Sequence, residues 1–326
     1  MRSTVSSPKS KESAYDPFDR GPFPVGVRTV EAFDAARDRL FPCEIWSPEG
    51  ANGPLILYSH HSGGHRRSAA FLCTHLCSHG YTVAALDHSE VVAEELRRKE
   101  GEDPEEAATR AEAVVASRVP DLRFLLDQVG GSEQIGIVGH SLGGWTVLAM
   151  PDVEPRVGAV VAHAPAGASN PKPGILRAKL DFDWGRDVPT LFLVAENDVF
   201  LPLDGMYEVF ERTPATKQMI ILRRADHMHF MDDVEKWHEA ARSMPATGVL
   251  AWIPKEMRPI SELCSGEQAR LFVRGLTLAH MDAVLRGNAD ARRFLAGDVE
   301  GELAARGLAC GAGHQACRVE SRLNLC

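Results

Sequence analysis

The sequence predicts an α/β fold in which a mostly parallel sheet carries helices on both faces. Short apolar runs alternate with longer amphipathic stretches along the chain, and the length of 326 residues suits one large domain or two small ones. Strand–helix alternation of this kind indicates a mostly parallel sheet with right-handed crossovers and with helices on both faces. We therefore expect functional side chains at the carboxyl ends of the strands.

Six strands and six helices account for this alternation. The apolar runs predict strands over residues 54–59, 81–86, 134–138, 157–161, 189–194 and 218–222. Amphipathic spacing predicts helices over residues 67–78, 106–129, 203–213, 231–243 and 268–287, and a sixth that ends near Met150.

The chain divides into a main domain and two short tails. We interpret residues 1–15 as a flexible N-terminal tail, 16–305 as the α/β domain and 306–326 as a cysteine-containing C-terminal tail. Within the domain, residues 165–189 resemble a lid-like loop, and residues 244–267 read as an irregular insertion.

Composition limits the classes of partner. Apolar residues make up 44% of the chain and charged residues 25%, as in soluble globular proteins. The net charge of −9 argues against nucleic acid or an anionic membrane as the main partner and leaves a small molecule open. No apolar run is long enough to span a membrane, and the oligomeric state stays open.

The N-terminus and the cysteines favour a cytoplasmic location. The first residues carry positive charge but lack the apolar core of a secretory signal. An odd number of cysteines, seven, favours reduced thiols. For the C-terminal tail we favour free thiols over a disulfide or a zinc site, since the spacing matches no familiar zinc finger; the residues concerned are Cys310, His314, Cys317 and Cys326.

The run Gly139-His140-Ser141-Leu142-Gly143 marks a candidate nucleophile. Gly-x-Ser-x-Gly alone is a weak signal, and a glycine-rich turn with an idle serine is the alternative. Here the run follows a predicted strand and precedes an apolar helix, the context in which its glycines allow a sharp turn that exposes the serine. A serine hydroxyl also needs a base, an acid that orients the base, and donors for the oxyanion.

The candidate acid is Asp198, which lies in the loop beyond the predicted strand 189–194. Glu196 is the alternative, but it stands closer to the strand end. A helix-capping role for Asp198 is the other interpretation, because a helix is predicted from residue 203.

The candidate base is His227, which follows the last predicted strand. Its place after Ser141 and Asp198 gives the chain order nucleophile, acid, base. His229 competes, and we expect it to pack behind the site. Asp226 is expected to orient the loop rather than to serve as the acid.

Two backbone N–H groups are candidates for the oxyanion hole. One belongs to Leu142, the residue after the nucleophile. The other is that of Ser62, with His61 second, in the loop after the first predicted strand. His60, His61 and His65 have no carboxylate beside them, so we expect no metal there, and His60 is expected to pack beneath the site.

Candidate substrate-pocket residues come from several loops. They are His61, Gly63, His140 and Phe200. The pocket walls are expected from residues 62–66, 165–189 and 199–206.

These residues resemble a known family. The segments SHHSGGHRRSAAFLCTHLCSHGYTVAALDH, GHSLGG, VAENDVFLP and ADHMHF are similar to those of dienelactone-hydrolase-like proteins and platelet-activating-factor acetylhydrolases of the α/β-hydrolase fold. Bacterial cutinase-like polyester hydrolases are similar in outline. The resemblance covers roughly residues 20–240 and implies a first strand pair in GPFPVGVRTVEAFDAARDRLFPCEIWSP.

The resemblance implies the same assignment of roles. Ser141, Asp198 and His227 match the nucleophile, acid and base, and Leu142 and Ser62 match the donors of the oxyanion hole. Dienelactone hydrolases proper use cysteine as the nucleophile, whereas this chain has serine. The family usually has glycine where this chain has histidine just before Ser62.

The sequence therefore predicts a serine esterase that acts on a small-molecule carboxylic ester through an acyl-enzyme and requires no cofactor or metal. Two alternatives remain: a non-catalytic binding or receptor protein that retains the site, and an acyltransferase that uses the same three residues.

Overall fold

The computed structural model describes residues 15–99, 101–130 and 134–308, together with the strand 322–324. These residues form one sheet in the order β1-β2-β4-β3-β5-β6-β7-β8-β9. The strands are β1 Val25–Asp34, β2 Arg39–Pro48, β3 Leu55–Ser59, β4 Thr82–Leu86, β5 Ile135–His140, β6 Val157–His163, β7 Thr190–Ala195, β8 Lys217–Leu222 and β9 Arg322–Asn324. The six strands β3–β8 run parallel, and β1, β2 and β9 pair antiparallel at the two edges.

Helices connect the strands and follow the last long one. They are α1 Ala70–Ser78, α2 Ser89–Val92, α3 Pro104–Val129, α4 Leu142–Ala149, α5 Leu203–Arg212, α6 Val234–Arg242, α7 Ile253–Glu256, α8 Gly266–Leu285, α9 Ala289–Ala296 and α10 Val299–Leu303. The predicted fold class is confirmed, and all six predicted strands are present. The strand pair β1–β2 also lies where the resemblance placed it.

The core lies on both faces of the sheet because the central strands alternate their side chains between two apolar clusters. In β3, Leu57 joins the cluster beneath α3, α4 and α5, whereas Ile56 joins the cluster beneath α1 and α8. Strands buried on both faces read as continuous apolar runs, which is why their positions were predictable.

The start of α3 is set by local sequence. The Asp103 side chain accepts hydrogen bonds from the N–H groups of Glu105 and Glu106, and Pro104 occupies the first turn, where its missing N–H costs nothing. The local sequence therefore fixes the residue at which α3 begins, and the buried face of the helix packs against the sheet.

The predicted lid-like loop and the predicted insertion differ in regular structure. Residues 165–189 have no regular structure, but Leu180 and Trp184 are buried, and the indole N–H of Trp145 donates to the Lys179 carbonyl at 2.9 Å. Residues 244–267, which the sequence predicts as an irregular insertion, contain the four-residue helix α7 and the first two residues of α8.

The tails lie largely outside the described residues. This applies to the N-terminal tail up to residue 14 and to the cysteine interpretation for Cys310, Cys317 and Cys326. In the part of the chain that the structure describes, no helix is long and apolar enough to cross a bilayer.

Candidate active site

Ser141 occupies a strained turn between β5 and α4. Its φ of 59° and ψ of −116° are unusual for a residue with a Cβ. Close packing holds the turn: a Cβ on Gly139 would lie 2.1 Å from the Gly143 carbonyl oxygen, and a Cβ on Gly143 would lie 2.0 Å from that of Ser59. The Ser141 N–H also donates to the His163 carbonyl at 2.9 Å. The surroundings thus fix a conformation that a free chain would avoid.

The structure brings Ser141, His227 and Asp198 into one chain of hydrogen bonds. His227 Nε2 lies 2.9 Å from Ser141 Oγ, and His227 Nδ1 lies 2.6 Å from Asp198 Oδ2. The second carboxylate oxygen of Asp198 accepts from the N–H groups of Phe200 and Leu201, each at 2.9 Å. Because a carboxylate only accepts, Nδ1 carries the proton and Nε2 is left to accept from the serine hydroxyl.

Aromatic rings enclose the imidazole of His227. The Phe200 ring stacks on it with centroids 5.1 Å apart, and the His140 ring lies at 4.7 Å. His140 is fully buried, so the expectation that it lines the substrate pocket needs correcting: it supports His227 from inside the protein. Burial holds the pKa of His140 well below its usual range, so this neighbour adds no positive charge beside His227.

The residue before His227 anchors a separate buried network. Asp226 accepts from His229 Nδ1 at 2.7 Å and from His238 Nδ1 at 2.5 Å, and His229 Nε2 donates to the Cys264 carbonyl at 3.0 Å. Burial opposes ionisation of both partners. The hydrogen bonds outweigh it, lowering the pKa of Asp226 and raising that of His229 from 6.5 to about 10. Asp226 thus fixes the loop, and His229 bonds to Asp226 and Cys264.

Glu196, the alternative acid, is engaged elsewhere. Its carboxylate pairs with the Arg223 guanidinium at 3.0 Å and accepts from the Arg224 N–H at 2.9 Å. The hydrogen bonds of Glu196 therefore stabilise the turn after β8, whereas Asp198 binds the imidazole of His227.

The candidate donor groups lie on two elements. Leu142 is the first residue of α4, so its N–H has no carbonyl one turn earlier in the helix to bond. Ser62 and Gly63 are exposed in the donor loop, which we define as residues 60–65 between β3 and α1. Both elements start where a strand ends.

Histidines support the donor loop from beneath. His60 is fully buried, as expected: its Nε2 accepts from the His88 N–H at 3.1 Å, and its Nδ1 lies 2.7 Å from the His61 carbonyl oxygen. Burial is the main reason that the pKa of His60 lies far below its usual range, and the positive charge of Arg118 is the second. Burial and the proximity of His227 lower the pKa of His61 to about 3. Both imidazoles are therefore neutral near pH 7.

Sequence reasoning missed Arg118 and its partner Glu90. Arg118 lies on α3 with no exposed surface, forms an ion pair with Glu90, and donates to the carbonyls of His60 at 2.5 Å and His61 at 3.1 Å. The available signal was an arginine in line with the apolar face of α3, one turn after Val114.

A cavity of about 820 Å³ begins at the donor loop. Ser62 and Gly63 line its end nearest the site, the first half of α3 forms one wall with Ala111 and Val114, and residues 174–177 form another. Its volume suits a drug-sized ligand. The expected wall at 199–206 is not part of this cavity, and Val199, Pro202 and Leu203 instead line a smaller pocket beside Asp198.

The long loop and the insertion meet beside the site. The Trp252 indole N–H donates to the Pro173 carbonyl at 3.1 Å, and the Lys172 ammonium lies 4.4 Å from the centre of the Trp252 ring. The same ring packs edge-on against Phe200 at 6.3 Å. Residues of the insertion thus contact the ring that stacks on His227.

No group of three or more His, Cys, Asp or Glu residues with metal-binding geometry is found among residues 15–99, 101–130 and 134–308. The three histidines of the donor loop instead take part in local hydrogen bonds and packing. His65 Nδ1, for example, accepts from the Arg67 N–H at 3.1 Å.

Comparison with known proteins finds a matching family model and related sequences. The model of the dienelactone hydrolase family matches residues 41–256. Cutinase est1 of Thermobifida alba is 21% identical over 278 residues, which cover 79% of this chain and 84% of that protein. Cutinase cut1 of Thermobifida fusca is 21% identical over 287 residues, which cover 82% of each.

A solved structure has the same fold. A ferulic acid esterase from Streptomyces cinnamoneus aligns with a TM-score of 0.60 and 21% identity, covering 82% of this chain and 91% of that one. At this identity the match establishes the shared fold alone.

Proposed function

The chain belongs to the dienelactone hydrolase family, and on that premise we propose that it is a serine esterase that cleaves carboxylic esters through an acyl-enzyme. The observation that carries the proposal is the hydrogen-bond chain from Ser141 through His227 to Asp198. It supplies a nucleophile, a base and an acid in the geometry that activates a serine hydroxyl.

In the first step Ser141 Oγ attacks the ester carbonyl while His227 Nε2 takes the hydroxyl proton. Asp198 keeps the proton of the neutral ring on Nδ1 and stabilises the imidazolium that forms. The C–O bond to the alcohol then breaks, and His227 returns the proton to the leaving oxygen. An ester between Ser141 and the acyl group remains.

The developing oxyanion is stabilised by the N–H groups of Leu142 and Ser62. Leu142 begins α4, so the positive end of the helix dipole adds to its hydrogen bond. In the second step His227 removes a proton from water, the hydroxide adds to the acyl carbonyl, and Ser141 leaves with the proton returned to it. His227 carries out each proton transfer, and the two backbone N–H groups only stabilise the oxyanion.

Substrate class is inferred from the relatives and the cavity. The relatives in sequence are named cutinases, and the solved structure with the same fold is named a ferulic acid esterase. The cavity next to Ser62 is large enough for more than an acetyl group. We therefore favour small-molecule esters with a sizeable acyl or alcohol part.

The test is the time course of p-nitrophenol release from p-nitrophenyl acetate. The wild type is expected to turn over this ester and to bind one equivalent of a fluorophosphonate probe. Ser141→Ala loses both, whereas Ser169→Ala, a change at an exposed serine, keeps both. A wild type that neither releases p-nitrophenol nor reacts with the probe refutes the proposal and favours a binding protein. Ester exchange into an added alcohol that exceeds hydrolysis would instead identify an acyltransferase.

A further inference from the structure

The donor loop is held from inside the protein by one arginine. Arg118 reaches it from α3, 58 positions along the chain from His60, and donates to the carbonyls of His60 and His61. The guanidinium is fully buried and pairs with Glu90, whose side chain is 7% exposed. A planar guanidinium offers several donors in a fixed arrangement, so it can bind two carbonyls and a carboxylate together.

These carbonyls belong to the same peptide groups as the candidate oxyanion donors. In a planar trans peptide the C=O of one residue and the N–H of the next point in opposite directions. When Arg118 binds the His61 carbonyl, the N–H of Ser62 is turned away from α3. Binding of the His60 carbonyl orients the N–H of His61 in the same manner.

A second hydrogen bond restrains the more important of the two peptides. His60 Nε2 accepts from the His88 N–H, so the ring proton is on Nδ1, which donates to the His61 carbonyl at 2.7 Å. The Gly64 N–H also donates to the His61 carbonyl, at 3.0 Å. The peptide between His61 and Ser62 therefore cannot rotate without breaking the bonds from Arg118, His60 and Gly64. The cost of orienting the donor is met during folding, before substrate binds.

We propose that Arg118, neutralised by Glu90, is the positioning residue of the oxyanion hole, because it orients the Ser62 N–H without touching substrate. This inference rests on the proposed esterase function. This role gives a reason for the charged residue on the otherwise apolar face of α3. Without it the donor would lose its orientation, which would weaken stabilisation of the transition state.

The test is the double variant Glu90→Gln, Arg118→Met. Changing Arg118 alone would leave Glu90 as an unpaired buried charge and endanger folding, whereas replacing both partners by neutral side chains of similar size is tolerated in buried pairs. We expect kcat for p-nitrophenyl butyrate to fall roughly 100-fold with little change in KM, since the lost interaction exists mainly in the transition state.

Two further readouts separate positioning from a general structural defect. Affinity for a trifluoromethyl ketone, which forms an oxyanion on reaction with Ser141, is expected to fall by a similar factor. The shape of the pH profile of kcat/KM stays unchanged, because the His227–Asp198 pair is untouched. The matched control is Arg186→Met, which removes an arginine that binds two carbonyls, those of Val157 and Glu154, near the start of β6; its kcat is expected to match wild type.

A folded double variant with wild-type kcat and ketone affinity overturns the inference while leaving the esterase proposal standing. If the wild type itself lacks esterase activity and probe labelling, the proposed function fails, and with it the role assigned to the donor. Amide hydrogen exchange in residues 59–66 then tests the physical claim alone. Faster exchange in the double variant supports the restraint by Arg118, and unchanged exchange refutes it.

Discussion

Replacing Asp226 by asparagine is expected to remove a pH-dependent part of the stability. Asp226 holds His229 and His238 through hydrogen bonds of 2.7 and 2.5 Å in the buried loop that carries His227. Asparagine keeps the size of the side chain but not its charge. Burial then disfavours the protonated form of His229, which is left neutral.

The magnitude follows from breaking a buried ion pair, which costs roughly 3–5 kcal/mol when one partner is removed. The loss of stability is reduced because neutral His229 keeps two hydrogen bonds. Its Nδ1 can accept from the backbone N–H of residue 226, at 3.0 Å, while its Nε2 still donates to the Cys264 carbonyl. We expect the free energy of unfolding of Asp226→Asn to be lower than wild type by about 3 kcal/mol at pH 6.

The sign of the pH dependence follows from the two shifts. The pKa of Asp226 is lowered in the folded protein. Its contribution to the free energy of unfolding is therefore present above the ordinary pKa near 4 and is lost as the pH falls. The pKa of His229 is raised from 6.5 to about 10, so its contribution is complete below 6.5 and is lost as the pH rises towards 10. The difference between wild type and variant should be largest between about pH 4 and 6.5.

Urea unfolding at pH 6 and pH 9.5 measures this difference, provided that the m values agree. Asp233→Asn is the matched control: Asp233 is exposed, and asparagine tolerates its φ of 53°, so its stability should stay within about 0.5 kcal/mol of wild type. A loss below about 1 kcal/mol at pH 6, or one that is equal at both pH values, would show that the pair is not ionised as we describe.

Three other changes test the site. Asp198→Asn should lower kcat for p-nitrophenyl acetate by about 10⁴, because the imidazole of His227 loses its orientation and the stabilisation of its charged form. In the same assay kcat of Glu196→Gln should stay within a few-fold of wild type. Gly143→Ala places a Cβ 2.0 Å from a backbone carbonyl and should destabilise the protein by about 3 kcal/mol or prevent folding; thermal unfolding measures this. Ala111→Trp should slow hydrolysis of p-nitrophenyl decanoate relative to acetate by partly filling the cavity, and Ala116→Trp, exposed on the same helix, should leave that ratio unchanged.

The central strands could be predicted because they are buried on both faces. Ile56 and Leu57 are adjacent apolar residues that enter opposite clusters, so β3 stands out as an apolar run. The edge strand β1 exposes Val27 and Phe33, and charged residues are scattered along it. No local pattern separates such a strand from a loop, and only the resemblance pointed to it.

The positions of Ser141, Asp198 and His227 could be predicted because each follows a strand of a parallel sheet, whose carboxyl ends share one edge. The role of Arg118 could not be predicted in this way. Its partners in the donor loop are backbone carbonyls remote in sequence, and a carbonyl carries no side-chain signature. Glu90 likewise becomes recognisable only once folding brings it against α3.

The most direct test of the central claim is intact-protein and peptide mass spectrometry after reaction with a fluorophosphonate. We predict one adduct per chain, on the peptide that contains Ser141, with no adduct on Ser141→Ala. The absence of an adduct on folded wild-type protein, or an adduct at another residue that persists in Ser141→Ala, would contradict the assignment of Ser141 as the nucleophile.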